Sequence, residues 1–120
     1  MARKLTFAPW TKDKDDSSVM FTNLYHGFIG RTDSPNRAHT IEETRNAIKV
    51  LDALDSVSTI TEMGQYSTRV LQGDGGSIEL TEDGHKLLQT AIDAFVGSLP
   101  FAMARAGIAL KTFVDDAEKV

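Results

Sequence analysis

The 120-residue chain carries 13 Lys and Arg against 17 Asp and Glu, a net charge of −4, and no cysteine. That length suits one domain, which buries roughly two-thirds of the surface its unfolded chain exposes. The lack of cysteine excludes disulfides, thiolate zinc sites and thiol catalysis, and the mild acidity argues against nucleic acid as a partner, because phosphate neutralisation supplies much of such affinity.

Residues 1–16 read as a flexible or docked N-terminal arm ahead of a single domain at 17–120. Pro9 and the run Lys12-Asp13-Lys14-Asp15-Asp16 discourage a helix, while Leu5, Phe7 and Trp10 can dock in extended form. Arg3 and Lys4 are followed by no apolar h-region, so no signal peptide is expected, and no apolar run approaches the roughly 20 residues that span a bilayer. A cytoplasmic protein with no membrane contact is the expectation.

The first helix is expected over residues 17–29, capped by Ser17 or Ser18. Phe21, Leu24, Tyr25 and Phe28 share one face, and Gly30 is placed as the stop. Ser34-Pro35-Asn36 marks a loop. The second helix, residues 40–57, opens on a capping box of Thr40 and Glu43. Ile41, Ala47, Ile48, Leu51 and Leu54 make its apolar stripe. Glu42, Arg45, Lys49, Asp52 and Asp55 cover the opposite side with mixed charge, and the pairs three residues apart contribute about 0.2–0.5 kcal/mol each.

Residues 58–66 suit either a short strand around Ile60 or one helical turn. Residues 68–80 read as a β-hairpin: Thr68–Gln72 and Ser77–Leu80 flank Gly73-Asp74-Gly75-Gly76, whose glycines supply the positive φ of a tight reversal. A turn is expected there in place of a phosphate loop, since the strand-to-helix order and the lysine of a P-loop are missing. Thr81 caps a third helix, with Glu82 and Asp83 near the positive end of its dipole. Leu88, Ile92, Phe95 and Leu99 form its stripe beside Leu87 and Ala91, and Pro100 ends it. A last helix is expected over 101–118, with Met103, Ala106, Leu110, Phe113 and Ala117 on one face. Ala102, Ala104, Ala106, Gly107 and Ala109 make it thin, which suits internal packing or an oligomer seam. The sum is a helix-rich α+β domain with about four helices and one β-hairpin.

Motifs of chemistry are not found: no G-x-S-x-G, H-E-x-x-H, G-x-G-x-x-G or EF-hand loop. His26, His39 and His85 fall on separate elements and read as surface or helix-end residues. No catalytic, cofactor-binding or metal residue is assigned, no cofactor is expected, and the binding residues remain unassigned. Asp93 has no evident acid–base partner, and Asp115, Asp116 and Glu118 read as a solvated face.

Two resemblances accompany this reading. Leu80, Thr81, Gly84, Leu87 and Leu88 match the L-T-x-x-G step from wing strand to helix, so the segment resembles the wing of winged-helix proteins. That likeness implies DNA binding, although the one continuous, mixed-charge helix at 40–57 departs from the two shorter helices, the second basic, of that fold. More broadly, Glu43 with Leu51-Asp52-Ala53-Leu54, and Phe113-Val114-Asp115-Asp116, are similar to small uncharacterised proteins of tailed phages and prophages of proteobacteria. That likeness implies a phage origin and no particular activity. The expected function is a non-catalytic protein–protein interaction domain, with a protein partner or self-association. A phage accessory, assembly or host-binding factor is its finer form, and a winged-helix DNA-binding regulator is the alternative.

Overall fold

The structure is a computed structural model that describes residues 2–30 and 40–119, with Met63 described in its backbone alone. The loop expected around Pro35, and His39, lie outside the described residues. In chain order the elements are β1 (Ala2–Phe7), α1 (Asp16–Ile29), α2 (Ile41–Ser56), β2 (Ser58–Met63), β3 (Tyr66–Leu71), β4 (Gly76–Thr81) and α3 (Glu82–Gly97). A single 3-10 turn (Phe101–Met103), α4 (Ala104–Asp115) and the two-residue β5 (Glu118–Lys119) complete them. The mixed α+β class and the four α-helices agree with the sequence. The strand content exceeds one hairpin.

The strands form two antiparallel sheets, one of order β4-β1-β5 and a separate β2–β3 ribbon. The stretch read as an arm therefore supplies the middle strand of the larger sheet. Leu5 lies opposite Ile78, and Phe7 opposite Gly76. Leu5, Phe7, Ile78 and Leu80 are all buried, so the face they share closes onto the helices, while Thr6 and Glu79 point to solvent.

The hairpin expected at 68–80 is not formed. β3 pairs with β2, Met63 opposite Tyr66, and β4 pairs with β1, Ala2 opposite Thr81. The glycine run does reverse the chain, but it hands it from one sheet to the other. Gly75 sits at φ 70°, and a Cβ there would stand 2.2 Å from the Phe7 carbonyl oxygen. The Trp10 amide donates to the Gly73 carbonyl at 2.9 Å. Its indole Nε1 donates to the carbonyls of Leu71 and Gln72 at 3.1 and 3.0 Å. Those contacts bind the glycine turn to the end of β1 and leave β4 free to pair there. The actual hairpin turns at Gly64-Gln65, with Gly64 at φ 64° and no positive φ at Gln65. This is the placement of glycine in a type II′ turn, whose twist suits a two-residue hairpin.

Helix α3 is the hub, packed against α1, α2 and α4. Its Leu88, Ala91 and Ile92 are buried as the stripe requires, and Thr81 caps it by accepting from the Gly84 amide at 3.0 Å. Two glycines set close helix approaches. A Cβ at Gly27 would lie 2.9 Å from Phe95, and one at Gly107 would lie 2.9 Å from Leu99. Phe7 meets Phe21 edge-on at 5.4 Å between ring centroids and Phe113 at 5.3 Å, which ties β1 to α1 and α4.

Several helix details differ from expectation. Helix α1 begins after Asp15 with no side-chain cap, so neither serine caps it, and Gly30 keeps a negative φ of −85°. In α2 Thr40 accepts from the Glu43 amide at 3.0 Å as expected. Its buried face, however, is centred on Val50 and Leu54: Leu51 is half-buried, and Ile41 and Ile48 are exposed. Around the helical wheel the true face is turned by roughly 80° from the expected stripe. The cause is tertiary: α2 must meet both α3 and β4, and Val50 is the residue between them. Helix α4 stops at Asp115 so that Glu118–Lys119 can add to β1. Gly107, Leu110 and Val114 are its buried residues, while Met103 and Ala106 are exposed.

Candidate interaction surface

Apolar side chains on the outside define the surface features worth weighing. The 3-10 turn that leads into α4 presents Phe101, 97% exposed, together with Met103, and α4 adds Ile108. The exposed positions of α4 are Ala104, Arg105, Ala106, Ile108, Ala109, Thr112 and Asp115, so one cation and, at the C-terminal end, one carboxylate stand among mostly small or apolar groups. The alanines that thin this helix therefore line solvent, and Gly107 alone serves the inner seam. One flank of the same helix forms a shallow groove of about 220 Å³ with α1, lined by Val19, Met20, Asn23, Ala106, Ala109 and Leu110.

The ribbon is the second exposed feature. Thr59, Ile60, Thr61 and Glu62 of β2 are all exposed, and so are Tyr66 and Ser67 of β3. Its base is anchored by buried Val57 and Leu71. On β3, Arg69 pairs with Asp55 at 3.0 Å and donates to the Ser58 hydroxyl at 3.1 Å. A two-stranded ribbon gains little from its own ladder in water, so its stability rests on this anchored end.

A third concavity, about 330 Å³, lies where the N-terminal turns of α2 and α3 come together, lined by Thr40, Glu42, Glu43, Asn46, Asp83 and Lys86. Two helix N-termini would favour an anion there. Three carboxylates against one ammonium oppose that field, which makes the hollow a poor anion site.

The titratable groups serve the fold. His85, read from the sequence as a surface or helix-end residue, lies at a helix end, in the first turn of α3, and is buried at 3% exposure. Its Nε2 lies 2.7 Å from the Val114 carbonyl oxygen, and a carbonyl only accepts, so Nε2 carries the proton. The C-terminal turn of α4 covers it and answers its polar atom. His26 is exposed on α1. Asp93 binds Lys111, which also reaches Asp115 at 3.0 Å, so the carboxylate without an evident partner has a cation from α4. The hydrogen bond that Lys111 donates to Asp93, then the one it donates to Asp115, raises the Lys111 pKa. For Asp115, desolvation acts upward, and the bonds from Lys111 and Gln89 outweigh it and lower the pKa. Glu82 follows the same pattern. Desolvation acts upward, and the hydrogen bond and charge of Arg3, 3.0 Å away, hold it below the usual carboxylate value. Arg3 thus ties β1 to the start of α3.

Among the described residues no three His, Asp or Glu side chains gather in a metal-binding arrangement, and no helix is long and apolar enough to cross a membrane. Comparison of the chain with protein-family models, with curated proteins and with solved structures yields no match in any of the three.

Proposed function

We propose that this chain is a non-catalytic protein–protein interaction domain. The observation that carries the reading is the Phe101–Ile108 surface: three large apolar side chains, Phe101, Met103 and Ile108, exposed on one short stretch of chain. Scattered apolar residues are ordinary on a surface, whereas several close together, here on the 3-10 turn and the first half of α4, are a feature of docking faces. Arg105 is the one cation among the exposed positions of α4, and Asp115 at the far end is paired with Lys111, so the fitting partner is an apolar protein surface that offers a carboxylate. A phage-encoded accessory, assembly or host-binding role is the finer form of this reading, supported by the sequence resemblance alone.

The DNA-binding alternative has weaker support. The exposed positions of α2 include Glu42 and Asp52 beside Arg45 and Lys49, so a groove-facing α2 would bring carboxylates to phosphates. The test pairs two variants, Phe101→Ser and Ile108→Asp. Both positions are exposed, so the urea midpoint should hold. Capture of a protein from the native host by the tagged chain should fall at least about tenfold in each. Unchanged capture, or retention on heparin at roughly 150 mM salt, would move the weight to the alternative.

A further inference from the structure

The parity of the β2–β3 ladder determines which backbone groups of the ribbon face outward. A two-residue connection makes Met63 and Tyr66 a hydrogen-bonded pair, and such pairs alternate along an antiparallel ladder. Thr61 with Thr68, and Thr59 with Val70, are then hydrogen-bonded too. The amide of Gln72 donates to the Val57 carbonyl at 3.1 Å, which continues the same alternation past the base of the ribbon. By elimination, the amides and carbonyls of Ser58, Ile60 and Glu62 point away from β3. Among the described residues they have no backbone partner.

The other edge of the ribbon is different. The outward residues of β3 are Ser67, Arg69 and Leu71. The Leu71 carbonyl takes the Trp10 indole, and β3 lies against α1. Among the described residues the β2 edge is the open one. It carries little of the usual protection of an open edge: Glu62 is its one charge, no proline and no lysine interrupt Ser58–Met63, and four of its six residues are Thr, Ile or Ser.

We propose that β2 pairs with β2 of a second copy of this chain across a two-fold axis centred on Ile60. The register follows from parity. Outward groups must meet outward groups, so Ile60 faces Ile60 of the second copy and Ser58 faces Glu62, in roughly six new backbone hydrogen bonds. Thr59 then faces Thr61 at the closer, non-hydrogen-bonded positions, a favourable cross-strand pair. Charge selects the antiparallel arrangement. Glu62 is the one charge on β2, and a parallel, in-register pairing would stack the two carboxylates. Antiparallel pairing sets them about 14 Å apart, beyond the screening length at physiological salt. The product is a four-stranded sheet, β3-β2-β2-β3, above the size at which a sheet becomes stable in water. A six-residue edge buries less than the roughly 1,200 Å² of a tight complex, so the dimer is reversible, half-formed between about 10 μM and 1 mM. This goes beyond the interaction reading and uses a different surface from the α4 face, so the two stand or fall separately.

The test is sedimentation equilibrium from 10 μM to 1 mM, with amide exchange followed by NMR over the same range. The mass should rise from 13.1 kDa toward twice that value. The amides of Ser58, Ile60 and Glu62 should gain protection with concentration, and those of Thr59 and Thr61, bonded within the ribbon already, should not change. Ile60→Pro removes an outward amide and no ribbon bond, so it should raise the dissociation constant at least about tenfold with the Thr59 and Thr61 amides still protected. Ile60→Ala, which keeps that amide, should dimerise within a few-fold of the parent. A monomer at 1 mM overturns the proposal. So does a dimer that ignores Ile60→Pro, or protection of the β2 amides that appears only when a different protein or a DNA duplex is added.

Discussion

Replacing Gly75 with alanine tests the junction between the two sheets. Two separate costs act at this position. The first is conformational: φ is 70°, a region that costs an L-residue about 1–2 kcal/mol. The second is steric. The new Cβ would stand 2.2 Å from the Phe7 carbonyl oxygen and 2.8 Å from the carbonyl carbon and oxygen of Ala8. These are backbone atoms at the end of the central strand, so no rotamer change relieves them. Overpacking of this kind costs about 1–3 kcal/mol, for a total of roughly 2–5 kcal/mol. Gly64 supplies the control. Its φ is 64°, yet nothing lies within 4 Å of a Cβ there, so Gly64→Ala should lose the conformational part alone. Urea melts of the two variants, read as midpoint shifts at constant slope, separate the terms. If Gly75→Ala and Gly64→Ala agree within about 0.5 kcal/mol, the glycine turn does not press on β1, and the account of why β4 leaves β3 fails.

Other substitutions sort the helix faces and the ion pairs. Leu88→Ala should cost about 2–5 kcal/mol in the same melts, because the side chain is fully buried at the hub. Ile48→Ser should stay within about 0.5 kcal/mol, since Ile48 is 52% exposed; equal losses at the two sites would mean that α2 is rotated from the position described. The folded pKa values of Glu82 and Asp115 lie below their ordinary values of 4.5 and 3.8. The stability they contribute is therefore complete above those values and lost as pH falls through the depressed ones. Glu82→Gln should flatten the acid limb of the stability curve, and an unchanged limb would remove the Arg3–Glu82 pair from the account. Lys111, whose pKa is raised, acts with the opposite sign: its contribution is present below 10.5 and is lost as pH rises through the folded value.

The helices were legible because their signals are local. Thr40 and Thr81 announce two helix starts, and both accept the amide three residues on. The stripe of α3 is unambiguous, for Leu88, Ala91 and Ile92 admit one inward face. Helix α2 offers Ile41, Ala47, Ile48, Val50, Leu51 and Leu54, which spread over half the wheel. Periodicity can then nominate a stripe, but only the neighbours decide which part of it is buried. Strand pairing is harder still. The partner of Ala2 is Thr81, at the far side of the chain. A glycine run advertises a reversal without naming the strands it joins, and Gly64, a single glycine between Met63 and Gln65, gave a weaker signal than Gly73–Gly76 and marks the true hairpin. The burial of His85, at a helix end as one of its two readings had it, was illegible for the same reason: nothing near it in sequence tells that the Val114 carbonyl will cover it.

The open edge of β2 belongs to this non-local class, and it depends on one local choice. Which amides face outward is decided by the number of residues between Met63 and Tyr66. With two, Ser58, Ile60 and Glu62 point out and Thr59 and Thr61 point in. A slip of one residue would exchange the sets and carry every side chain of the ribbon to the opposite face. Ile60 would then leave the pairing edge, and the inward amides would meet a different row of β3. The turn at Gly64 and the anchor of Arg69 on Asp55 and Ser58 hold the ladder against such a slip from its two ends. What the ribbon offers a second copy is therefore set by its tip and its base, while the four exposed residues between them supply the ladder positions and little energy of their own.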